Sequence, residues 1–527
     1  MCHLFSTLLL LATLSTFAAP AIAALLIVPD HHPTIQSAIA AAASGDSIMV
    51  RPGVYAESLS LSGKDLTIFG ESGAEATIIS GSSSFRLLDA TGPSVTVATV
   101  FEDLTFQDGK ALKGAGIRLS GGASLTLRRC RFIHNRAVGN PGGAAGGAAV
   151  VGALSTLAVD TSLFQDNEAV DMELVGDGAG GAVYADPGSH LEIRNSEFVR
   201  NSASGFEGGP GGAVNANGAA IIEASRFTDN FGFQGGAIRG SEGSDIVVLG
   251  CLFDRNDAWT GAGIFCSYAA FTIENNTFID NRAFFDLDAA IVAVGSWQGR
   301  ARDGGAGGPV ATQRIPSIEH NTVVFNICSG IGIRTDPIVV RNNVVTNNYY
   351  VGLISDLVPV PGSIACNDVW ANQGGNYGGD CPDLTGIDGN ISSDPLFCDP
   401  PARDFTLDAG SPCAPANSPE GCGLIGAWPV SCGVTAVNPP GAPSPPLQLL
   451  VRPNPVGKRA EFAFDEAKGP RVLEIVDGQG RLVAVLAASG RTALTWVPSP
   501  SIPAGVYFAR LTGVAARSET VKIVVLR

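Results

Sequence analysis

Histidine is scarce in this chain, six in 527 residues, and His31, His32, His134, His190 and His320 are scattered along it. Neither a zinc-binding trio nor a nucleophile triad assembles from that spacing. Positive charge is also short. The chain carries 33 Lys and Arg against 49 Asp and Glu, a net charge of −16, which argues against nucleic acid or an anionic membrane surface as partner, because both need a basic face. Aromatic residues make up only 7%, so any interior is thin. Long apolar runs are missing as well. The run Leu8 to Leu14 is too short to cross a bilayer and is followed by Ala21-Ile22-Ala23, a small-x-small cleavage site. Residues 1–23 therefore read as a secretory signal peptide, although its leading segment carries only His3 where Lys or Arg is usual. No transmembrane span is expected after its removal. What the chain does have is glycine, 66 residues, with 45% hydrophobic content, a composition for many corners and many strands.

Between residues 127 and 372 one pattern recurs nine times: an aliphatic residue, a small polar residue three positions on, an aromatic or Val, and then Asn three further on. The aliphatic positions are Leu127, Val159, Ile193, Ile222, Val248, Ile273, Ile318, Val339 and Ile364. The aromatic or valine positions are Phe132, Phe164, Phe198, Phe227, Phe253, Phe278, Val323, Val344 and Val369. The closing residues are Asn135, Asn167, Asn201, Asn230, Asn256, Asn281, Asn326, Asn347 and Asn372. The connecting residues alternate and are rich in Ile, Val, Thr and Phe, which reads as β structure. Variable spacing around a constant unit is what a solenoid with loops of different length produces. The fold expected is all-β: a parallel β-helix over 24–433, in which each residue stacks on its equivalent one rung away, about 4.8 Å. The column two residues before the aromatic, ending in Asn276, Asn321, Asn342 and Asn367, is suited to passing amide hydrogen bonds along the stack. The closing Asn is expected in left-handed turn geometry.

A second repeat precedes the rungs: Gly180-Gly181-Ala182-Val183, Gly211-Gly212-Ala213-Val214 and Gly235-Gly236-Ala237-Ile238, with looser copies at 146–149 and 261–264. The glycines allow a tight corner, and Ala followed by an aliphatic suits a narrow interior. Together the GGA-I/V and Phe-x-x-Asn elements resemble the repeats of the polymorphic outer-membrane proteins. That resemblance, close over about 114–282 and fading to 372, implies a right-handed β-helix used in adhesion at a bacterial surface. This chain departs from that family at its C-terminus, where no comparable set of membrane-barrel strands follows.

Ile35, Ala38, Ile39 and Ala42 share one face of a short helix stopped by Ser44-Gly45-Asp46, and this helix is expected to cover the open end of the solenoid before the strand at Ile48 to Val50. The segment resembles the opening of many pectin-lyase-like proteins. Asp394-Pro395-Leu396-Phe397, Asp404-Phe405-Thr406-Leu407 and Gly410-Ser411-Pro412 resemble the closing coil of the same superfamily. The mature chain holds ten Cys, and the dense group Cys366, Cys381, Cys398, Cys413, Cys422 and Cys432 is expected to form at least two disulfides. Zinc is disfavoured there, since no two of the six are two residues apart and no His lies among them.

Prolines 439, 440, 443, 445 and 446 mark a stiff linker over 434–448. Beyond it, 449–527 reads as an immunoglobulin-like sandwich, with strands at Val472 to Val476, Leu482 to Leu486, Leu494 to Trp496, Val506 to Leu511 and Val521 to Leu526. The series Pro453-Asn454-Pro455, Asp477-Gly478-Gln479-Gly480-Arg481 and Pro503-Ala504-Gly505-Val506-Tyr507, then Lys522, resembles the type IX secretion sorting domain. That resemblance implies passage across an outer membrane by an export machinery acting on this domain, and often retention at the cell surface.

Cleavage of saccharides by β-helix enzymes needs paired carboxylates, or a basic residue beside a calcium site. The polygalacturonase series is absent; Arg314-Ile315 is followed by Pro316. The outward column Arg128, Asp160, Arg194, Glu223, Leu249, Glu274 and Glu319 reads as cross-strand charge pairing, although Glu274 and Glu319 allow a carboxylate pair. Glu168, Asp171, Glu173, Asp177 and Glu207 gather on a loop edge where Ca²⁺ binding competes with simple solvation; no other cofactor is expected. The insertion from Phe284 to Arg314 carries Trp297, Arg300, Arg302 and Arg314, an aromatic platform with cations suited to an acidic glycan. The expected function is adhesion or glycan binding without catalysis, with a polysaccharide or a host or neighbouring cell surface as partner. The alternative is a divergent polysaccharide lyase or glycoside hydrolase.

Overall fold

The computed structural model describes residues 23–139, 143–171, 178–205, 208–284, 288–295 and 315–433, and most strands of a second unit between 449 and 525. The chain divides into units 1–433 and 434–527. The first is a right-handed parallel β-helix. Each full coil contributes a strand to up to four sheets, as in the coil Ser124–Arg128, Arg131–Ile133, Arg136–Gly139 and Ala149–Val151. In that order the sheets are called I to IV, and they contain 13, 12, 7 and 12 strands. About twelve rungs at 4.8 Å make a rod on the order of 55 Å long.

Equivalent residues meet in register. Leu127, Val159, Ile193, Ile222, Val248, Ile273 and Ile318 form one inward column. Phe106 joins Phe132, Phe164, Phe198, Phe227, Phe253 and Phe278 in another, with near-parallel rings 4.5 to 5.1 Å apart. One coil departs from the sequence reading by a single residue. Ile318 pairs with Val340, not Val339, and Val323 with Val345, not Val344. The Asn residues that turn inward there are Asn343 and Asn348 rather than Asn342 and Asn347. This coil doubles every key position, Val-Val, Asn-Asn, Val-Val and Asn-Asn, so both frames satisfy the pattern, and only stacking on the coil beneath chooses.

The closing Asn column is an amide ladder. Asn167 Oδ1 accepts from both Asn135 N, 3.1 Å, and Asn135 Nδ2, 3.0 Å, while Asn135 Nδ2 also donates to the Phe106 carbonyl. The same triple contact repeats through Asn201, Asn230, Asn256, Asn281, Asn326, Asn348 and Asn372. These residues do not take left-handed geometry. That conformation belongs to the residue before each, for example His134, Asp166, Arg200, Asp229 and Arg255, with φ between 51° and 55°. The turn is reversed by the outward residue so that the Asn can point in. A second ladder runs through Asn276, Asn321, Asn343, Asn367 and Asn390.

The glycine corners need both glycines. Gly180 has φ +63°, and a Cβ on Gly181 would collide with the Gly212 carbonyl of the neighbouring coil. At the N-terminal end the helix Ile35–Ala41 buries Ile35, Ala38 and Ile39 and is capped by Thr34 and Ser37. A strand unforeseen in the sequence, Leu25–Val28, precedes this helix and pairs with Ser47–Val50.

Residues 394–433 do not add a closing coil. They fold back as a strap over the outer face of sheet II, where Phe405 packs on Ile279 and Val324. Arg403 reaches Asp254 and Asp280 at 2.8 and 2.6 Å, and Trp428 Nε1 donates to Thr277 Oγ1 at 2.9 Å. The frame-shifted Asn342 donates to the Leu424 carbonyl at 2.9 Å. Cys366–Cys422 bonds the strap to the solenoid, and Cys398–Cys432 closes the strap on itself. Cys381 and Cys413 remain buried thiols, so four of the six cysteines pair.

The second unit is an immunoglobulin-like sandwich of a three-stranded and a four-stranded antiparallel sheet. Its core includes Phe462, Leu473, Ile475, Trp496, Tyr507 and Ile523. Two strands, Leu449–Arg452 and Ala460–Phe464, were not evident from alternation. Tyr507 Oη donates to the Pro503 carbonyl at 2.7 Å, the kind of tyrosine corner that pins a strand of such sandwiches.

Candidate functional site

Sheet I presents its outward residues in columns, and Ala158 stands between Thr126 and Glu192 in one of them. The missing bulk leaves a depression of about 370 Å³, walled by Arg128, Asp160, Glu192, Arg194 and Asn195. A neighbouring hollow of about 360 Å³ shares Asn195 and extends over the turn into sheet II. The register that stacks the core also places Arg128, Asp160, Arg194 and Glu223 side by side.

The acids of this face are engaged. Glu192 lies 3.0 Å from His190 Nε2 and 2.9 Å from Arg194 Nη1. Its carboxyl is held below the usual range, chiefly by the His190 hydrogen bond and then by Arg194 against a burial penalty. Arg194 Nε also donates to Glu223 at 2.7 Å. Asp160 accepts from Asn195 Nδ2 at 3.0 Å and from Thr161 Oγ1 at 3.1 Å. Arg128, by contrast, is exposed and has no carboxylate within ion-pairing distance among the described residues. The expected pairing along this column therefore holds for Arg194 with Glu223 but not for Arg128 with Asp160. A general acid needs a carboxyl with a raised pKa; Glu192 is shifted the opposite way.

Glu274 and Glu319 are neighbours in register on sheet I. Asn275 Nδ2 donates to Glu274 at 3.3 Å. Among the described residues the carboxyl with the largest upward displacement is Asp368, pushed to about 7 by burial beneath the strap, where it accepts from Cys413 Sγ and the Ser393 amide. That position serves the interior. On the acidic edge Glu168 is ion-paired with Arg136 at 2.7 Å, while Glu173, Asp177 and Glu207 lie outside the described residues, as do Trp297, Arg300, Arg302 and Arg314. Among the described residues no group of three or more His, Cys, Asp or Glu is arranged to hold a metal ion, and no helix is long and apolar enough to cross a membrane.

Sequence reasoning identified the charged column but not the depression. Ala158 looks unremarkable until its neighbours on both adjacent coils are known.

A family model described as the right-handed beta helix region matches residues 206–301. Among solved structures the chain is similar to the pectate lyase Pel9A, at 13% identity and a TM-score of 0.35, covering 77% of this chain and 96% of that one. It is also similar to a pectin methylesterase mutant in complex with a hexasaccharide, at 11% identity and a TM-score of 0.18, covering 64% and 80%. No curated protein matches the chain. Sheet topology and family match coincide on one architecture, the right-handed parallel β-helix.

Proposed function

We propose that the solenoid is an exported rod that binds an acidic polysaccharide at the cell surface without cleaving it, and that the depression on sheet I is one of its contacts. The observation that carries this reading is the unpaired, exposed Arg128 in a hollow whose acids are already engaged by His190, Arg194 and Asn195. A guanidinium free to pair with a carboxylate, beside amide and hydroxyl donors, suits a uronate. Trp297, Arg300 and Arg302, which lie outside the described residues, are proposed as a further contact on their residue chemistry alone. The C-terminal sandwich fits a role in export or anchoring, in keeping with its resemblance to sorting domains.

The test is affinity electrophoresis through polygalacturonate. Retardation of the intact protein should weaken about tenfold in Arg128→Ala, the loss of one charge-assisted contact, and weaken further when Trp297, Arg300 and Arg302 are replaced by Ala. Unchanged retardation in all these variants counts against the reading. The register of Glu274 beside Glu319 favours one alternative, a glycoside hydrolase, because carboxyls on adjacent rungs stand about as close as a retaining pair requires. Steady release of reducing or unsaturated ends that stops in Glu274→Gln and Glu319→Gln would establish that alternative. For the sandwich, deletion of 449–527 in the native host should leave a folded β-helix trapped within the envelope; unchanged surface display contradicts a sorting role.

A further inference from the structure

The depression does not end at the edge of sheet I. Beyond the turn at Thr161 and Ser162, the second hollow of about 360 Å³ is lined by the same three coils: Arg129 and Arg131 on the first, Thr161 and Leu163 on the second, Asn195 and Glu197 on the third. Arg131, Leu163 and Glu197 are consecutive in the register of sheet II, as Thr126, Ala158 and Glu192 are in sheet I. Ala158 and the half-buried Leu163 therefore form one low floor along the middle coil, between walls two rungs apart, roughly 10 Å. Asn195, the corner residue with φ 51°, lines both hollows. The groove runs around the rod, not along it. Its two halves differ in the charge they leave open. Arg128 is the free group of the first. In the second, Arg131 Nη1 lies 2.8 Å from Glu75, and Arg129 is held by Glu102 and, at 2.8 Å, by Asp103. Glu197 is exposed and has no ion-pair or hydrogen-bond partner among the described residues, while Arg226, its neighbour in register, turns to Asp254 at 3.5 Å and Thr228 at 3.3 Å.

We propose that the second hollow is a subsite for an uncharged sugar, so that the ligand of this groove is a heteropolysaccharide in which a uronate stands beside a neutral residue. This rests on the acidic-glycan reading of the first hollow. A second uronate in the groove would meet the open Glu197 carboxylate and find no unpaired cation, and like charges repel. A neutral sugar supplies what that carboxylate lacks, hydroxyl hydrogens to accept, and Leu163 offers an apolar floor for its C–H face. Because Asn195 lines both hollows, neighbouring sugars of one chain reach both.

The experiment is affinity electrophoresis of the full chain through one galacturonan backbone in three forms: unesterified, randomly methyl-esterified at half of its residues, and fully esterified. The half-esterified polymer should retard the protein most, about tenfold more strongly than the unesterified one, and the fully esterified polymer least, since it offers Arg128 no carboxylate. Glu197→Gln should raise retardation by the unesterified polymer towards the half-esterified level, a gain that damage to the fold does not produce. Glu420→Gln, which removes an exposed charge on the strap, should leave it unchanged. Equal retardation of the unaltered protein by the unesterified and half-esterified polymers overturns the subsite. So does unchanged or weaker retardation of Glu197→Gln by the unesterified polymer, or an equal gain in Glu420→Gln, which would mark a general charge effect. If Arg128→Ala still weakens binding in those cases, the reading of the first hollow stands and this one alone falls. No effect of Arg128→Ala, or no retardation by any form, overturns both.

Discussion

At the scale of the residue, the energetics concentrate in side chains that repeat. Asn201 accepts from the backbone and side-chain nitrogens of Asn167 and donates to the Phe164 carbonyl and to Asn230, all in the interior. Asn201→Ala leaves several buried groups without partners, so a loss of at least about 1–3 kcal/mol in urea denaturation is expected. Ser202→Ala, on the solvent side of the adjoining strand, should stay within about 0.5 kcal/mol. Phe198 stacks between Phe164 and Phe227 at 4.7 and 4.9 Å, and Phe198→Ala should cost about 3–5 kcal/mol. Asp368 makes a prediction with a sign. Its folded pKa, about 7, lies above the ordinary carboxyl value of 3.8 because burial disfavours the charge. The folded state therefore holds the proton more tightly, and the stability that this provides is full below the ordinary value and lost as pH rises through about 7. Denaturation midpoints should fall between pH 5 and pH 8.5, and Asp368→Asn should remove much of that fall.

At the scale of the element, the strap distinguishes this solenoid from a bare stack of coils. It covers a stretch of sheet II whose outward residues, Ile279, Val324 and Val344, would otherwise expose apolar surface. Its salt link is buried on one side, since Asp254 is 1% exposed beneath Arg403 and Arg255. Arg403→Ala should therefore destabilise the unit by more than a surface ion pair would. Cys366 and Cys422 are 56 residues apart, so their bond restrains the unfolded chain, and replacing both with Ser should cost about 2–4 kcal/mol. Limited proteolysis checks the location of the effect: cleavage in Cys366→Ser, Cys422→Ser should begin within 394–433 while the coils before Asn276 stay protected. Early cleavage across those coils would show that the strap supports the whole column.

At the scale of the whole molecule, the solenoid and the sandwich are separate units with separate cores. Each should unfold on its own. Calorimetry of the full chain should show two transitions, and removal of 434–527 should delete one while leaving the other within about 1 °C, because nearest-neighbour coils supply the solenoid's stability. A single cooperative transition that shifts on truncation would contradict this independence. Within the solenoid, the contact proposed for an acidic glycan is the charged depression on sheet I. A rod of this kind multiplies contacts along its length, so ligand affinity should rise with glycan chain length until the contacts are filled.

The repeat, its parallel β-helical class and the inward columns from Leu127 to Ile318 and from Phe132 to Val323 are legible in the sequence alone, whereas the inward residues of the first coils, such as Leu61, Ile68 and Phe106, are not. In a parallel in-register stack each position packs on its own kind, so composition at a fixed place in the repeat records the environment directly. Phe132 to Phe278, the amide ladder through Asn276, Asn321 and Asn367 and the glycine corners are legible for that reason, as is the helix Ile35–Ala41 from its apolar face, whereas the closing Asn column reads as left-handed turns and not as the ladder it forms. The tertiary structure alone decided the remaining points. Where Val339-Val340 and Asn342-Asn343 satisfy the pattern in either frame, the coil beneath selects Val340 and Asn343. The left-handed residue is the one before each inward Asn because the carboxamide must reach the next coil, a contact 22 to 45 residues away. Strap docking and the choice of cysteine partners depend on still more distant meetings, such as Trp428 with Thr277 across 151 positions. The hollow at Ala158 arises from side chains on different coils. Periodicity identifies which face a residue occupies, but a binding surface is made by which neighbours the stacking brings to it.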